Sequence, residues 1–162
     1  MTASHPTKKA QLIAPDAYPQ MMSRADGARA LLSLRSDKTL ARAQGAMEAA
    51  AAPMKLAILG YVADMEANCQ DMDLVFDHVH EIRGFAETAG MASTGHIAEI
   101  LCRYMEDMRR IAKPLDAHIV ALHVAAIARA ARAEDGDAAM GEVVAAELGA
   151  LVARRLLEAQ KG

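Results

Sequence analysis

Aromatic residues are scarce in this sequence of 162 residues, which contains no tryptophan, three tyrosines and two phenylalanines. Hydrophobic residues nevertheless make up 53% of the chain, and most of them are alanine, leucine, methionine, valine or isoleucine. Strands are enriched in β-branched and aromatic side chains, whereas alanine, leucine and methionine are strong helix formers. The composition therefore predicts an all-α fold, and the length is that of one domain with a buried core.

Other scarcities exclude classes of function. The net charge is −3 and the pI is about 6.1, which argues against a broad nucleic-acid surface. The two cysteines, Cys69 and Cys102, form no CxxC pair, which predicts reduced thiols in a cytoplasmic protein. No charge-free run of about 18 residues and no apolar segment after Lys8 and Lys9 is found, so neither a membrane span nor a signal peptide is expected. No P-loop or GxGxxG sequence occurs, and we expect no cofactor and no metal on this chain.

The hydrophobic spacing predicts a helical domain over residues 21–160, preceded by a flexible arm over residues 1–20. Turns are predicted at Pro53, where a helix breaks or a new one starts, at 91–95 and at 134–137. Helices are expected over about 23–34, 37–52, 54–69, 71–90, 96–112, 114–133 and 138–160. Because short turns favour antiparallel neighbours, we expect an up-and-down four-helix bundle at about 54–134, with accessory N- and C-terminal helices.

The helix predicted over 71–90 carries one apolar stripe, formed by residues such as Val75, Val79 and Ile82. His80 and Arg83 lie beside this stripe, and Gly84 lies on the same side. Residues separated by three or four positions share one helix face, so these three side chains are expected to form one exposed patch.

The sequence HEIRG at residues 80–84, followed by Ala86 and Gly90, resembles the motif of the histidine phosphotransfer (HPt) domain. Cys102 matches the small residue that this family carries on the following helix. The resemblance covers roughly residues 54–134. It implies a protein of a two-component phosphorelay that carries a phosphoryl group on a histidine and has no catalytic machinery of its own.

Each residue of the patch has a role that the resemblance implies. His80 is the phosphoacceptor, because imidazole titrates near neutral pH and offers a neutral nucleophilic nitrogen. Arg83 offsets the charge of the phosphoryl group, since planar donors suit phosphate oxygens. Gly84 leaves room for a partner's active-site loops. From its place on the same helix face, Phe76 is either an apolar contact for that partner or a residue at the edge of the core. Glu87 is either a solvated charge or a contact that selects the partner by its charge.

The partners implied by the resemblance are response-regulator receiver domains and a sensor histidine kinase. The Mg²⁺ ion needed for transfer would be bound by the receiver domain. The N-terminal segment and the last helix exceed the four-helix minimum, and they are expected either to shield the bundle or to form a homodimer interface.

Two alternatives stay open. The first is a metal-binding helical bundle, because Asp77 lies three residues before His80 and both could be ligands. His96 and Glu99 repeat this spacing on the next helix. The second is a docking module for signalling proteins that carries no phosphate.

Overall fold

Six helices and no strand are formed by the part of the chain that the computed structural model describes, residues 22–133 and 138–161. The predicted all-α class is confirmed for these residues, while the predicted arm at 1–20 and the predicted turn at 134–137 lie outside them. The helices are α1 (Arg24–Leu34), α2 (Asp37–Ala67), α3 (Met72–Phe85), α4 (Ala92–Arg110), α5 (Ala117–Arg132) and α6 (Ala138–Lys161).

The chain divides into two compact units, Met1–Ala43 and Gln44–Gly162. In the first unit, Ser23 caps α1 because its Oγ accepts a hydrogen bond from the backbone N–H of Asp26 at 3.1 Å. Helix α1 buries none of its residues. The helix predicted over 23–34 is therefore confirmed. The second unit contains the core.

Helix α2 is continuous from Asp37 to Ala67 and contains Pro53 in its interior. The prediction that Pro53 separates two helices was wrong. A proline inside a helix removes one backbone hydrogen bond, at a cost of about 3 kcal/mol. Alanine has the highest helix propensity of all residue types, so the alanine run that precedes Pro53 favours continuation of the helix.

By length and composition, α2 is the one described helix that could cross a membrane, with a mean hydropathy of 1.2 over its most apolar window. Core helices of soluble proteins pass the same test, but they are mostly buried, whereas 11% of this window of α2 is buried. Ile58, Val62 and Met65 of α2 are fully buried in the core of this protein. The expected absence of a membrane span stays a prediction.

Helix α3 has a side-chain cap at its N-terminal end and a backbone-hydrogen-bonded turn at its C-terminal end. Asp71 accepts a hydrogen bond from the backbone N–H of Leu74 at 3.1 Å, which closes the N-terminal end. After Phe85 the chain closes a Schellman turn, in which the N–H of Met91 donates to the carbonyl of Ala86 at 2.7 Å. Gly90 occupies the left-handed position of this turn, with φ of 72°.

The turn before α4 is shorter than predicted. We expected a turn over 91–95 with Ser93 or Thr94 as the cap, but α4 begins at Ala92. The Schellman turn has already reversed the chain at Gly90, so the next residue, Met91, is the N-cap and provides no side-chain hydrogen bond.

Helix α4 is the centre of the second unit, because it contacts α3, α5 and α6. Helices α5 and α6 also contact each other. A helix with neighbours on several sides buries more than one stripe. The buried residues of α4 are Thr94, Ile97, Ala98, Leu101, Cys102, Tyr104, Met105 and Met108.

Side-chain contacts join the C-terminal half of α2 to the neighbouring helices. The ring of Tyr61 stacks on the ring of His78 of α3, with 4.9 Å between their centroids. Both nitrogens of the Arg132 fork on α5 bind the carboxylate of Glu66. Hydrogen bonding to Arg132 lowers the pKa of Glu66.

His123 of α5 is the one histidine of the described residues that is fully buried. Its Nδ1–H donates to the carbonyl of Ile119 at 2.8 Å, and its Nε2 is buried without a hydrogen-bond partner. Burial lowers the pKa of His123 from its ordinary value of 6.5, and the hydrogen bond to Ile119 opposes this shift.

The unfolded chain therefore binds a proton at His123 at a higher pH than the folded chain does, and acidification below about 6.5 favours unfolding. We expect the free energy of unfolding to fall between about pH 7.5 and about pH 5.5, by at most about 1.4 kcal/mol per pH unit from this group. Urea unfolding at the two pH values should show a smaller loss in His123→Met. The exposed His118 provides the control, and an equal loss in His123→Met and His118→Gln would contradict the assignment.

Candidate functional site

The predicted stripe of α3 is buried and the predicted patch beside it faces solvent. Val75, Val79 and Ile82 have no exposed surface. His80 lies beside the stripe and is exposed. The buried stripe thus determines that the imidazole of His80 points out of the core, as the hydrophobic spacing predicts.

Arg83 contacts the imidazole directly. Its Nη2 atom lies 3.2 Å from Nδ1 of His80, one helical turn away. Arginine has donors only, so Nδ1 is the acceptor and a neutral ring carries its proton on Nε2. Arg83 is half-buried and not fully exposed as predicted.

Gly84 is exposed, and a Cβ placed on it would meet no atom within 4 Å. The fold therefore does not require glycine at this position. Glycine costs about 1 kcal/mol relative to alanine within a helix. Because Gly84 has no side chain and residues four apart share a helix face, it leaves a gap in the surface next to His80.

The two residues predicted to contact a partner differ in their surroundings. Phe76 is half-buried, and its ring centroid lies 6.3 Å from that of His80. The guanidinium of Arg109 from α4 covers the Phe76 ring at 4.9 Å. Glu87 is exposed and lies in the turn after α3. Phe76 thus adds an apolar, positively bordered surface to the patch, while Glu87 adds a negative charge at its end.

A close approach between α3 and α4 places Cys102 beside this patch. A Cβ added to Gly95 would lie only 2.8 Å from Cβ of Ala86, so the helices touch at this level. His80 lies six residues before Ala86, and Cys102 lies seven residues after Gly95. At about 1.5 Å per residue the two are displaced about 9 and about 10 Å from the contact, in the same direction along antiparallel helices.

His80, Cys102 and Glu106 consequently form a cluster in which their ligand atoms lie within 4.8 Å of one another. Cys102 is buried and its thiol donates to a carboxylate oxygen of Glu106 at 3.6 Å. Burial raises the pKa of the Cys102 thiol, Arg83 opposes this by its positive charge, and Glu106 adds to it. The thiol is thus buried, whereas the other two members of the cluster, His80 and Glu106, are exposed.

The residues of the predicted metal-binding alternative do not come together. Asp77, His96 and Glu99 belong to no group of three metal-ligating side chains in the part of the chain that the structure describes. His96 instead contacts Glu142 of α6 at 3.1 Å. Glu99 forms an ion pair with Arg103 one turn away. His96 and Glu99 thus form ion pairs with other side chains at the surface of the helices.

Two residues near His80 were missed by the sequence analysis, Glu106 and Arg109. Glu106 lies four residues after Cys102, so the two share a face of α4, and this spacing was a signal that could have been used. Arg109 reaches Phe76 across the interface between helices. No spacing within one helix predicts that contact.

Comparison with family models, curated proteins and solved structures gives no match for this chain.

The register of α3 against α4 depends on Gly95, which provides a prediction. In Gly95→Ala the added methyl meets Ala86, whose Cβ is fixed to the backbone, so the helices must separate. We expect the free energy of unfolding to fall by about 1–3 kcal/mol, measured by urea denaturation.

Gly60 of α2 is the matched control, because a Cβ there meets nothing within 4 Å. Gly60→Ala should stabilise the protein by up to about 1 kcal/mol through helix propensity. Equal stability of the two variants would show that the helices do not touch at Gly95.

Proposed function

We propose that this chain is a histidine-containing phosphotransfer protein of the HPt family, and that it carries a phosphoryl group on His80 in a two-component phosphorelay. The observation that carries the proposal is the exposed imidazole of His80 with the guanidinium of Arg83 at 3.2 Å. The nucleophile and the charge that would stabilise its product are thus in contact before any partner binds.

The transfer conserves atoms and charge without a cofactor on this chain. A neutral imidazole nitrogen of His80 attacks the phosphorus of a partner's aspartyl phosphate, and an N–P bond forms. The P–O bond to the aspartate breaks, and the carboxylate leaves with the electron pair. The reverse steps pass the group from His80 to another receiver. The partner's Mg²⁺ supplies much of the charge stabilisation, so this chain acts as a carrier and not as an autonomous enzyme.

Arg83 must release the imidazole before the attack. If Nδ1 attacks, its lone pair is no longer available to Arg83. If Nε2 attacks, its proton must first move to Nδ1, and a protonated Nδ1 cannot accept a hydrogen bond. In both cases the released guanidinium can bind the oxygens of the incoming phosphoryl group, one helical turn from where it started. The resting contact therefore holds Arg83 close to the position it occupies after transfer.

The surface around His80 suits a receiver domain that docks with its active-site loops towards the imidazole. Gly84 leaves a gap on one side, and Phe76 provides an apolar contact on the other. We propose receiver domains and a sensor histidine kinase in the cytoplasm as the partners. We propose neither nucleic acid nor a membrane as a partner.

We further propose that α2, α3, α4 and α5 form an antiparallel up-and-down four-helix bundle, with α1 and α6 as accessory helices. Contacts of α3 and α5 with α4 support this arrangement. Side-chain contacts from α2 to its neighbours also support it, through Tyr61 to α3 and through Glu66 to α5. Helix α6 contacts α4 and α5, and in this arrangement it lies outside the four.

The first test charges the full chain with a phosphorylated receiver domain or an active sensor histidine kinase. Wild type should acquire label that is stable to base and labile to acid, and His80→Gln should acquire none. Arg83→Ala should keep its helical circular dichroism but hold label about 10- to 100-fold less well, because a charge-assisted hydrogen bond contributes about 1.5–3 kcal/mol. If His80→Gln labels as wild type does, His80 is not the acceptor. If wild type binds its cognate receiver but takes no label, the chain is a docking module.

The second test distinguishes the effect of Gly84 on stability from its effect on the access of a partner to His80. Gly84→Ala adds a methyl that meets nothing within the chain, so it should raise the free energy of unfolding by up to about 1 kcal/mol. The same methyl stands in the gap beside His80, so transfer from a phosphorylated receiver should slow.

Gly60→Ala provides the matched control, since it also gains helix propensity but lies on α2. We expect its transfer rate to equal that of wild type. Equal transfer rates in Gly84→Ala and Gly60→Ala would show that the partner does not use the gap.

A further inference from the structure

We propose that His80, Cys102 and Glu106 form a zinc-binding site in which zinc competes with the phosphoryl group for His80. The competition rests on the proposed function, whereas the metal site itself rests only on the cluster. Imidazole nitrogen, thiolate sulfur and carboxylate oxygen are the three ligand types that zinc binds in proteins. Magnesium and calcium take oxygen ligands, so this donor set favours zinc over both.

The distances in the cluster are close to those of a tetrahedral zinc site. Zinc–sulfur bonds of about 2.3 Å and zinc–oxygen bonds of about 2.0 Å place the two ligand atoms about 3.5 Å apart. The thiol of Cys102 and the carboxylate of Glu106 lie 3.6 Å apart. All three ligand atoms lie within 4.8 Å of one another, so His80 needs a displacement of about 1 Å to complete the set.

The surroundings of the cluster allow His80 to move and leave the fourth coordination position of the zinc ion open. His80 and Glu106 are exposed, so their side chains can turn towards the metal. Cys102 is buried and fixed in the core, so it holds the floor of the site in place. Since the other two ligands face solvent, a water molecule can take the fourth position. Binding breaks the S–H bond of Cys102, forms the S–Zn bond and releases the proton to water.

Arg83 has opposite effects on the binding of zinc and of the phosphoryl group at His80. Zinc needs a ring nitrogen of His80, and with either nitrogen the hydrogen bond from Arg83 to Nδ1 is lost, for the reason given for phosphoryl transfer. The guanidinium also repels a divalent cation, whereas it attracts a phosphoryl group. Arg83→Ala should therefore bind zinc more tightly while it holds phosphate less well.

The experiment titrates the unphosphorylated full chain with Co²⁺ as a spectroscopic probe and with Zn²⁺ by calorimetry. Wild type should give a sulfur-to-cobalt charge-transfer band that Zn²⁺ abolishes at one equivalent. Cys102→Ser should lose the band. His80→Gln and Glu106→Gln should each weaken Zn²⁺ binding by more than about 10-fold, because even residues that only orient zinc ligands contribute 10–100-fold. Glu106→Gln changes an exposed side chain, so it keeps the test valid if Cys102→Ser unfolds.

Cys69→Ser and His118→Gln are the matched controls, because they remove the other thiol of the chain and an exposed histidine outside the cluster. Both should bind Zn²⁺ as wild type does. Absence of the charge-transfer band in wild type, or its persistence in a folded Cys102→Ser variant, would overturn the site.

A final arm adds one equivalent of Zn²⁺ to the phosphorylation assay and should abolish labelling of His80, which a chelator then restores. If zinc binds as expected but labelling continues, the competition is wrong while the metal site stands. If no labelling occurs without zinc, the proposed function fails and the cobalt titration still decides the metal site.

Discussion

The contact between Ala86 and Gly95 is the constraint on which the proposed site depends. Two helices that meet at a methyl group and a hydrogen atom approach more closely than helices separated by larger side chains. This close approach, together with the Schellman turn at Gly90, determines the level at which every residue of α4 faces α3. His80 is separated from Cys102 by 22 positions in the chain and meets it only because of this register.

The residues of the cluster and its surroundings differ in burial. Cys102 lies in the core, where its position is held by close packing on α4. His80 and Arg83 lie above it at the surface, where they can rearrange without disturbing the core. The charge of Arg83 favours an anion and opposes a cation at the imidazole of His80, so Arg83 would decide between the two proposed ligands.

Much of α3 and of the patch on it could be predicted from the sequence, because both depend on spacing within one helix. The start of α3 next to Asp71, the buried stripe and the exposure of His80 are local properties, and all three are confirmed. Continuity of α2 through Pro53 was not predicted, since the break caused by a proline competes with the propensity of its alanine-rich neighbours. Arg109 was missed because its contact with Phe76 depends on the register between helices, whereas the spacing from Cys102 to Glu106 within α4 was a signal that could have been used. The arrangement of the helices as a bundle and the chemistry of His80 stay predictions.

The short connection between α3 and α4 also limits how this chain can vary. An α-helix turns by about 100° per residue, so inserting or deleting one residue between Gly90 and Ala92 would rotate α4 against a fixed α3 unless the turn absorbed the change. Such a rotation would carry Cys102 away from His80 and bring a different set of side chains into the core. A change of a whole turn would preserve the buried stripe but place the thiol about 5 Å further along the helix. The length of this connection therefore helps to determine which residues of α4 lie beside His80.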